Sequence, residues 1–335
     1  MNECMPHYYR ITQGHGQGAE LLMNAEAAFM QGNFSDAQIL LEQTYSTIAS
    51  NGQHNISLCC DFLAARLSLF QEGVTFVKNP EVKRKELLSL HNMMWLNIFD
   101  STYAYYYALI RMPEKIPALF KDHMLSTVSF LSPCRPMMEM IENQVFLSQK
   151  MYAKVIGRSE TLLPFCEKMH YELVSLHIQI QTVAAYAMLG KHHDARQLLQ
   201  KALGHAMPDG FLIPFVENYN YIKDVLGSIN SITPEPFTDR ILSLGSVYEQ
   251  HCLRLSSRNS RPEILNMLNS REAEIAALIT DRLSNREIAE RLFLSEGTVK
   301  QYVNQIYSKL MINGDTRTKR KQLAELISSI NKGLT

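Results

Sequence analysis

The 335-residue sequence lacks any run of about 18 uninterrupted apolar residues, the length that a membrane-spanning helix needs. Its nearest approach, residues 93–110, is interrupted by four polar side chains, Asn97, Asp100, Ser101 and Thr102. The N terminus also lacks the basic and then apolar pattern of a secretory signal. We therefore expect a cytoplasmic protein with no membrane partner.

The six cysteines form no CxxC pair, and adjacent cysteines rarely bond each other. This pattern predicts reduced, buried thiols. The neighbouring His192 and His193 would point apart on a helix, and no acid or cysteine surrounds them, so we predict no metal site. The cysteines are Cys4, Cys59, Cys60, Cys134, Cys166 and Cys252.

Catalytic motifs are missing as well. The sequence has no paired carboxylates, no nucleophile elbow and no metal-ligand set that would indicate an enzyme. It has no G-x-x-x-x-G-K-[ST] motif, and no apolar strand precedes the glycines at positions 14, 16 and 18. We therefore predict neither an enzyme nor a bound cofactor.

Charge is balanced over the whole chain, with 33 Lys and Arg against 33 Asp and Glu, but its distribution is uneven. From Glu296 to the end there are seven basic and three acidic residues, so the remainder is slightly acidic. A basic end on a nearly neutral body is typical of a DNA-binding domain attached to a regulatory domain.

Almost every periodic segment has the three- and four-residue spacing of a helix, and alternating β-branched runs are scarce. Residues 25–44 and 183–203 share one pattern: a glycine, an alanine five residues later and a leucine four further on. The glycine permits a left-handed turn between two helices, and the alanine lets them approach closely. The matching residues are Gly32, Ala37 and Leu41, and Gly190, Ala195 and Leu199.

A weaker copy spans residues 144–163, with Lys150 in the place of the glycine. The three segments resemble tetratricopeptide-like helix hairpins, which stack into a superhelix. An ordinary helical bundle is the alternative. We predict an all-α fold with a helical-repeat domain over residues 1–254, a polar linker over 255–267 and a second domain over 268–335. A helix is expected from about Thr238 to Leu255, between two proline-containing weak points.

Strong start signals for helices begin at Asn269. Asn269 with Glu272, and Ser284 with Glu287, have the spacing of capping boxes. Ser295 is placed to cap a third helix.

The third helix has one apolar and one polar face. A 4-3-4 spacing predicts one buried stripe, formed by Val299, Val303, Ile306 and Leu310. The opposite face lacks acids and carries Lys300, Gln301, Asn304, Gln305 and Ser308. Such side chains suit a helix in the major groove of DNA, since Lys can bind guanine and Gln or Asn can pair with adenine. A merely solvated helix face is the alternative.

This region resembles the helix-turn-helix DNA-binding domain of the LuxR family over residues 268–330. The resemblance rests on Arg271-Glu272, on residues 283–289 (LSNREIA) and on residues 295–300 (SEGTVK). It implies a four-helix domain that binds double-stranded DNA, with Lys300, Gln301 and Asn304 facing the bases. It also places Asn285, Thr298, Tyr302 and Lys309 near the DNA backbone, to which we add Gln305 from the same face.

The fourth helix of that family is often a dimer contact and would begin here after Asp315. Its start is unusually basic, because residues 317–321 read RTKRK. We expect either that Arg317 and Lys319 contact phosphates or that the run is a solvated helix start. A homodimer on DNA is expected, because a single domain of this size buries little surface.

A second resemblance lies upstream. Residues 202–216 are similar to the last repeat of the helical domain in MalT-like activators, and residues 18–42 resemble its start. In that group a repeat domain senses a small effector, and an ATPase module precedes it. Because no ATPase motif occurs here, the resemblance implies either the C-terminal portion of a larger regulator or a shortened member without ATP control.

The aromatic residues near position 100 are the candidate effector site, because Trp and Tyr can stack on ligands and offer polar groups. The candidates are Trp95, Tyr103 and Tyr106. However, Trp95, Phe99 and Tyr103 are four residues apart, as in a buried helix stripe, so core packing is the alternative.

Together these features predict a DNA-binding transcription regulator whose helical-repeat body senses a small effector or a protein partner. RNA polymerase is a further candidate partner. The alternative is a protein-interaction scaffold that its C-terminal domain tethers to DNA. A body without a ligand pocket but with an exposed apolar concave face would favour the scaffold.

Overall fold

The computed structural model describes residues 7, 10–11, 16–49, 53–71, 74, 80–128, 130, 132–232, 234–259, 268–312 and 314–332. Every regular element among them is helical, which confirms the predicted all-α fold. Three 3-10 helices cover Pro113–Lys115, Leu125–Thr127 and Ser132–Cys134. The α-helices are α1 (Ala19–Met30), α2 (Phe34–Ile48), α3 (His54–Leu67), α4 (Pro80–Ser89), α5 (Met93–Leu109), α6 (Ala118–Lys121), α7 (Arg135–Ser148), α8 (Tyr152–Lys168), α9 (Glu172–Met188), α10 (His192–Ala206), α11 (Ile213–Glu217), α12 (Tyr219–Asn230), α13 (Pro236–Asn259), α14 (Ser270–Thr280), α15 (Asn285–Leu292), α16 (Glu296–Lys309) and α17 (Thr316–Lys332).

The chain divides into two compact units, which we call the body (Met1–Leu253) and the C-terminal unit (Arg254–Thr335). Within the helices described here, none is both long and apolar enough to cross a membrane.

Helix hairpins build the body. The pairs α1–α2, α7–α8 and α9–α10 correspond to the three sequence copies, and each pair is joined through a residue with positive φ. Gly32 has φ 80°, Gly190 has φ 74° and Lys150, in the place of the glycine, has φ 62°. The small Ala37 and Ala195 are fully buried where the paired helices meet, as their size allows. The tetratricopeptide-like superhelix itself stays a prediction.

Helix α9 is central to the body. Ten consecutive residues, 176–185, are buried, so the helix is covered on all sides rather than on one stripe. Its polar side chains find partners inside the body: the Gln181 amide donates to the Met140 carbonyl and to the Gln144 side chain, both at 3.0 Å. This helix brings distant segments of the chain together.

The cysteines correct one prediction. Cys60, Cys166 and Cys252 are buried free thiols, as expected. Cys59 is exposed and Cys134 is half-buried, and both line a cavity that the sequence does not reveal. Cys4 lies outside the described residues.

Helix α13 is longer than predicted. It begins at Pro236, because proline is tolerated in the first turn of a helix, and it continues to Asn259. The first part of the predicted linker, 255–259, is therefore helical, since the sequence from 255 to 261 contains no glycine or proline. The rest of that linker, 260–267, lies outside the described residues.

The C-terminal unit contains α14, α15 and α16, whose starts the capping signals predict, and α17, which the LuxR resemblance implies. Asn269 with Glu272 and Ser284 with Glu287 form complete capping boxes at the starts of α14 and α15. Leu323 and Ile327 of α17 join the core formed by the other three helices. The unit therefore has a hydrophobic core of its own.

Candidate nucleic-acid interface

Helix α16 is fixed at its start and along one face. The Ser295 hydroxyl accepts a hydrogen bond from the Thr298 backbone N–H at 3.0 Å. The predicted stripe is buried in the core, with Val299 and Ile306 fully covered and Val303 and Leu310 each 5% exposed. The helix therefore has the predicted phase.

The opposite face of α16 is exposed. Lys300, Gln301 and Asn304 reach solvent, as side chains that contact a groove must. Gln305 and Ser308 extend the same exposed face. Within the described part of the chain, no hydrogen bond or ion pair holds Lys300, Gln301 or Asn304, so their polar groups are available to a partner.

Lys309, at the end of α16, has an internal partner. Its ammonium group lies 2.7 Å from the carboxylate of Glu272, which is 1% exposed and caps α14. Burial raises the pKa of Glu272, but hydrogen bonds from Lys309 and the Asn269 backbone outweigh that effect and hold the pKa below its usual value. The ion pair joins the end of α16 to the start of α14.

Arg320 connects the last helix to the turn before α15. Its guanidinium donates to the Asn285 side chain at 2.9 Å and also to the Leu283 carbonyl. Asn285 is therefore oriented by an internal hydrogen bond, although the resemblance places it near DNA. The sequence carries no local signal for this contact, since the two residues are 35 positions apart.

The basic run at the start of α17 is not one exposed cationic cluster. Arg320 turns inward, the Lys319 ammonium lies 5.9 Å from the centre of the Tyr307 ring, and Lys321 pairs with Glu325 at 3.6 Å. The side chain of Arg317 lies outside the described residues. Lys319, one of the two residues predicted to contact phosphates, therefore lies partly over the Tyr307 ring.

Arg271 holds α14 against the end of α15. One nitrogen of its guanidinium donates to the Leu292 carbonyl and another to the Glu274 side chain, both at 2.8 Å. The turn that follows contains Phe293, which has φ 54° and a side chain that is 95% exposed. In the sequence, Arg271 is only one of the residues on which the LuxR resemblance rests. Its hydrogen bonds to the end of α15 are visible only in the structure.

Comparison with known families decides what this unit is. Residues 266–320 match the family described as bacterial regulatory proteins, luxR family. The C-terminal unit contains a LuxR-family helix-turn-helix domain.

Curated relatives of this LuxR-family domain are transcriptional regulatory proteins or activators by name. Transcriptional regulatory protein LnrK of Bacillus subtilis is 44% identical over 110 residues, which cover 32% of this chain and 49% of that protein. Transcriptional regulatory protein DegU of Brevibacillus brevis is 45% identical over 53 residues, covering 16% and 22%. DNA-binding transcriptional activator DevR/DosR of Mycobacterium tuberculosis is 35% identical over 57 residues, covering 17% and 26%.

These matches cover about half or less of each relative's length. No solved structure matches the chain significantly. The MalT-like resemblance of the body stays a prediction.

The remaining backbone candidates of the LuxR-family domain differ in exposure. The Thr298 hydroxyl lies 2.7 Å from that of Ser295, so it belongs to the helix cap. Tyr302 packs partly against the core of the domain, whereas Gln305 is exposed. In its exposure, Gln305 is therefore like Lys300. Thr298 and Tyr302, in contrast, are held by contacts within the domain.

The aromatic effector candidates lie in the body, where packing accounts for most of their surface. Phe99 and Tyr103 belong to a buried cluster with Leu58, and Trp95 packs at its edge while its indole N–H donates to Asn55 at 2.6 Å. Tyr106 is half-buried with its ring against Tyr107. This arrangement agrees with the core-packing alternative.

Proposed function

We propose that this chain is a DNA-binding transcription regulator that reads DNA through the exposed face of α16. The observation that carries the proposal is the exposed polar face formed by Lys300, Gln301 and Asn304. The opposite face of the same helix is buried in the core of the domain. A rigid helix that presents such side chains can discriminate base pairs in the major groove.

Most of the residues that we propose for the DNA backbone lie on α16 itself. The exposed Gln305 and the half-buried Asn285, Thr298, Tyr302 and Lys309 would fix the helix on phosphates, and Arg317 and Lys319 are candidates on α17. Lys309 keeps enough exposure, 40% of its side chain, to meet a phosphate while it remains near Glu272. Two copies on a two-fold repeated site would supply the surface that one small domain lacks.

The body would act as the sensor in the cytoplasm. It contains a mainly apolar cavity of about 430 Å³, within the range of about 300–1,000 Å³ typical of small-molecule sites. The cavity supports a ligand-sensing body over a scaffold.

Selection of genomic fragments by the purified full chain, at fixed salt, tests the proposal. We expect the chain to enrich fragments that share a two-fold repeated site. Lys300→Ala should lose that enrichment, while Lys321→Ala, on the exposed part of α17, should retain it. Equal enrichment by wild type and Lys300→Ala would place DNA recognition elsewhere.

A further inference from the structure

The cavity of the body lies among helices that are far apart in sequence. Its walls come from α1, α3, α5, α7 and α9. Sulfur-containing side chains contribute much of the surface: three methionines of α7, together with Met30, Cys59 and Cys134. Methionine is flexible and polarisable, so such walls adapt to an apolar ligand.

Cys59 shows that the space is reachable. It lines the cavity and is exposed to solvent. The cavity is therefore open to small molecules rather than sealed.

A buried arginine forms one end of the cavity. Arg66 is 3% exposed and makes a bidentate pair with Glu217, with N–O distances of 2.7 and 3.2 Å. The Tyr105 hydroxyl donates to the same carboxylate at 2.8 Å. The charge of Arg66 is therefore already matched by one fully buried carboxylate, Glu217.

Glu26 supplies a second carboxylate at the same end. It lies 3.7 Å from the remaining nitrogen of Arg66, beyond hydrogen-bond distance, and its side chain is 39% exposed. Burial and the adjacent Arg66 charge hold the pKa of His177 well below its usual range, so that ring adds no charge. Among the described residues that line the cavity or directly back it, one positive charge thus faces two negative charges.

Apart from these charged groups, the cavity offers few hydrogen-bonding groups. The hydroxyls of Ser101 and Thr102 both donate to the Ile98 carbonyl of their own helix. Apart from Phe62 and Tyr171, which has a hydroxyl, the remaining lining residues are aliphatic or sulfur-containing. A ligand that matches this surface is mainly apolar and carries one positive charge.

We propose that this cavity binds a small amphipathic amine, with its ammonium group against Glu26 and its apolar part among the methionine and leucine side chains. The proposal rests on the proposed function in one respect: occupancy of the cavity would be the signal that the regulator senses. The binding itself requires no DNA and is tested without it.

Calorimetric titration of the full chain with three matched probes at neutral pH provides the test. The probes are n-octylamine, n-octanol and n-octanoate, each below its aggregation concentration. We expect saturable binding of one octylamine, at least tenfold tighter than the other two, or about 1.4 kcal/mol. Octanoate binding as tight as octylamine binding would overturn the proposal, because Arg66 rather than Glu26 would then set the charge preference.

Variants locate the site. Glu26→Gln keeps the shape of the side chain and should remove the preference for octylamine over octanol, whereas Glu20→Gln on the same helix should retain it.

Met137→Trp should fill the cavity and abolish binding of both probes, and Val174→Phe provides a second filling variant should the first fail to fold. Octylamine should also protect Cys59 from alkylation by N-ethylmaleimide. Unchanged octylamine affinity in a folded filling variant would overturn the assignment.

Fragment selection on the same preparations separates the two proposals. DNA enrichment without octylamine binding would refute the amine site alone. Octylamine binding without any DNA enrichment, with or without the probe, would refute the proposed function and leave the cavity assignment standing.

Discussion

Lys309 and Glu272 form a 2.7 Å ion pair that joins the last turn of α16 to the first turn of α14. The same carboxylate oxygen accepts the Asn269 backbone N–H at 2.7 Å. One buried acid therefore serves both a helix cap and an interhelical contact. The position of α16, and with it the exposed face that we propose for DNA, depends on this pair.

Lys309→Met should destabilise the C-terminal unit by about 1–3 kcal/mol, because it leaves a buried carboxylate with one fewer donor. Hydrogen exchange of peptides from α14 and α16, measured on the full chain, reports the loss. Lys321→Met removes an exposed pair with Glu325 and should change the stability by less than about 0.5 kcal/mol. Equal protection in both variants would show that the Glu272 pair contributes nothing.

The stability of the C-terminal unit should depend on acid pH through Glu272. The folded-state pKa of Glu272 lies below its usual 4.5, because hydrogen bonds from Lys309 and the Asn269 backbone outweigh desolvation. Its contribution is fully present above about pH 4.5 and is lost as the pH falls through the lower folded-state value. Exchange protection, corrected for intrinsic rates, should fall less with acid in Glu272→Gln than in wild type. An identical acid dependence in both proteins would exclude Glu272 as a cause.

Val303→Asp should unfold the C-terminal unit, because it places an unpaired charge in the core at a cost of about 3 kcal/mol or more. The body should be unaffected, and the fluorescence of its single tryptophan, Trp95, reports this. Asn304→Asp, one position along on the exposed face, should keep exchange protection in α14–α17. Normal protection in Val303→Asp would contradict the buried stripe.

Lys300→Ala should weaken binding to the selected DNA site by about 1–3 kcal/mol while binding to unrelated DNA changes little. The ratio of the two affinities at fixed salt is the measurement. Lys321→Ala should leave that ratio unchanged, and a lost phosphate contact there would only lower the salt slope by about one. An unchanged ratio in Lys300→Ala would argue against base contact by this side chain.

Arg320→Met should destabilise the C-terminal unit by about 1–3 kcal/mol, because the Leu283 carbonyl and Asn285 lose their donor. Lys319→Met removes only a long contact with the Tyr307 ring and should cost about 0.5–1 kcal/mol. Hydrogen exchange near residue 283 distinguishes the two variants. A larger loss of protection in Lys319→Met would reverse the roles that the structure gives them.

The capped starts of α14, α15 and α16 and the buried phase of α16 follow from the sequence alone. Each of these depends on residues three or four positions apart, so the local pattern carries the information. The turns at Gly32 and Gly190 can also be predicted from the local sequence, because a left-handed turn after a helix favours glycine. The LuxR resemblance, which the family match confirms, extended this local reading to a whole domain.

Contacts between residues far apart in the sequence depend on how the helices pack. Arg66 and Glu217 are 151 positions apart, and Lys309 and Glu272 are 37 apart, so no periodicity connects them. Lys150 has a positive φ, which local sequence preference would assign to glycine, and Arg320 points inward to Asn285. Both depend on the packing of neighbouring helices. The cavity beside Arg66 exists for the same reason: its walls come from five helices, and their side chains enclose a space only once those helices are packed together.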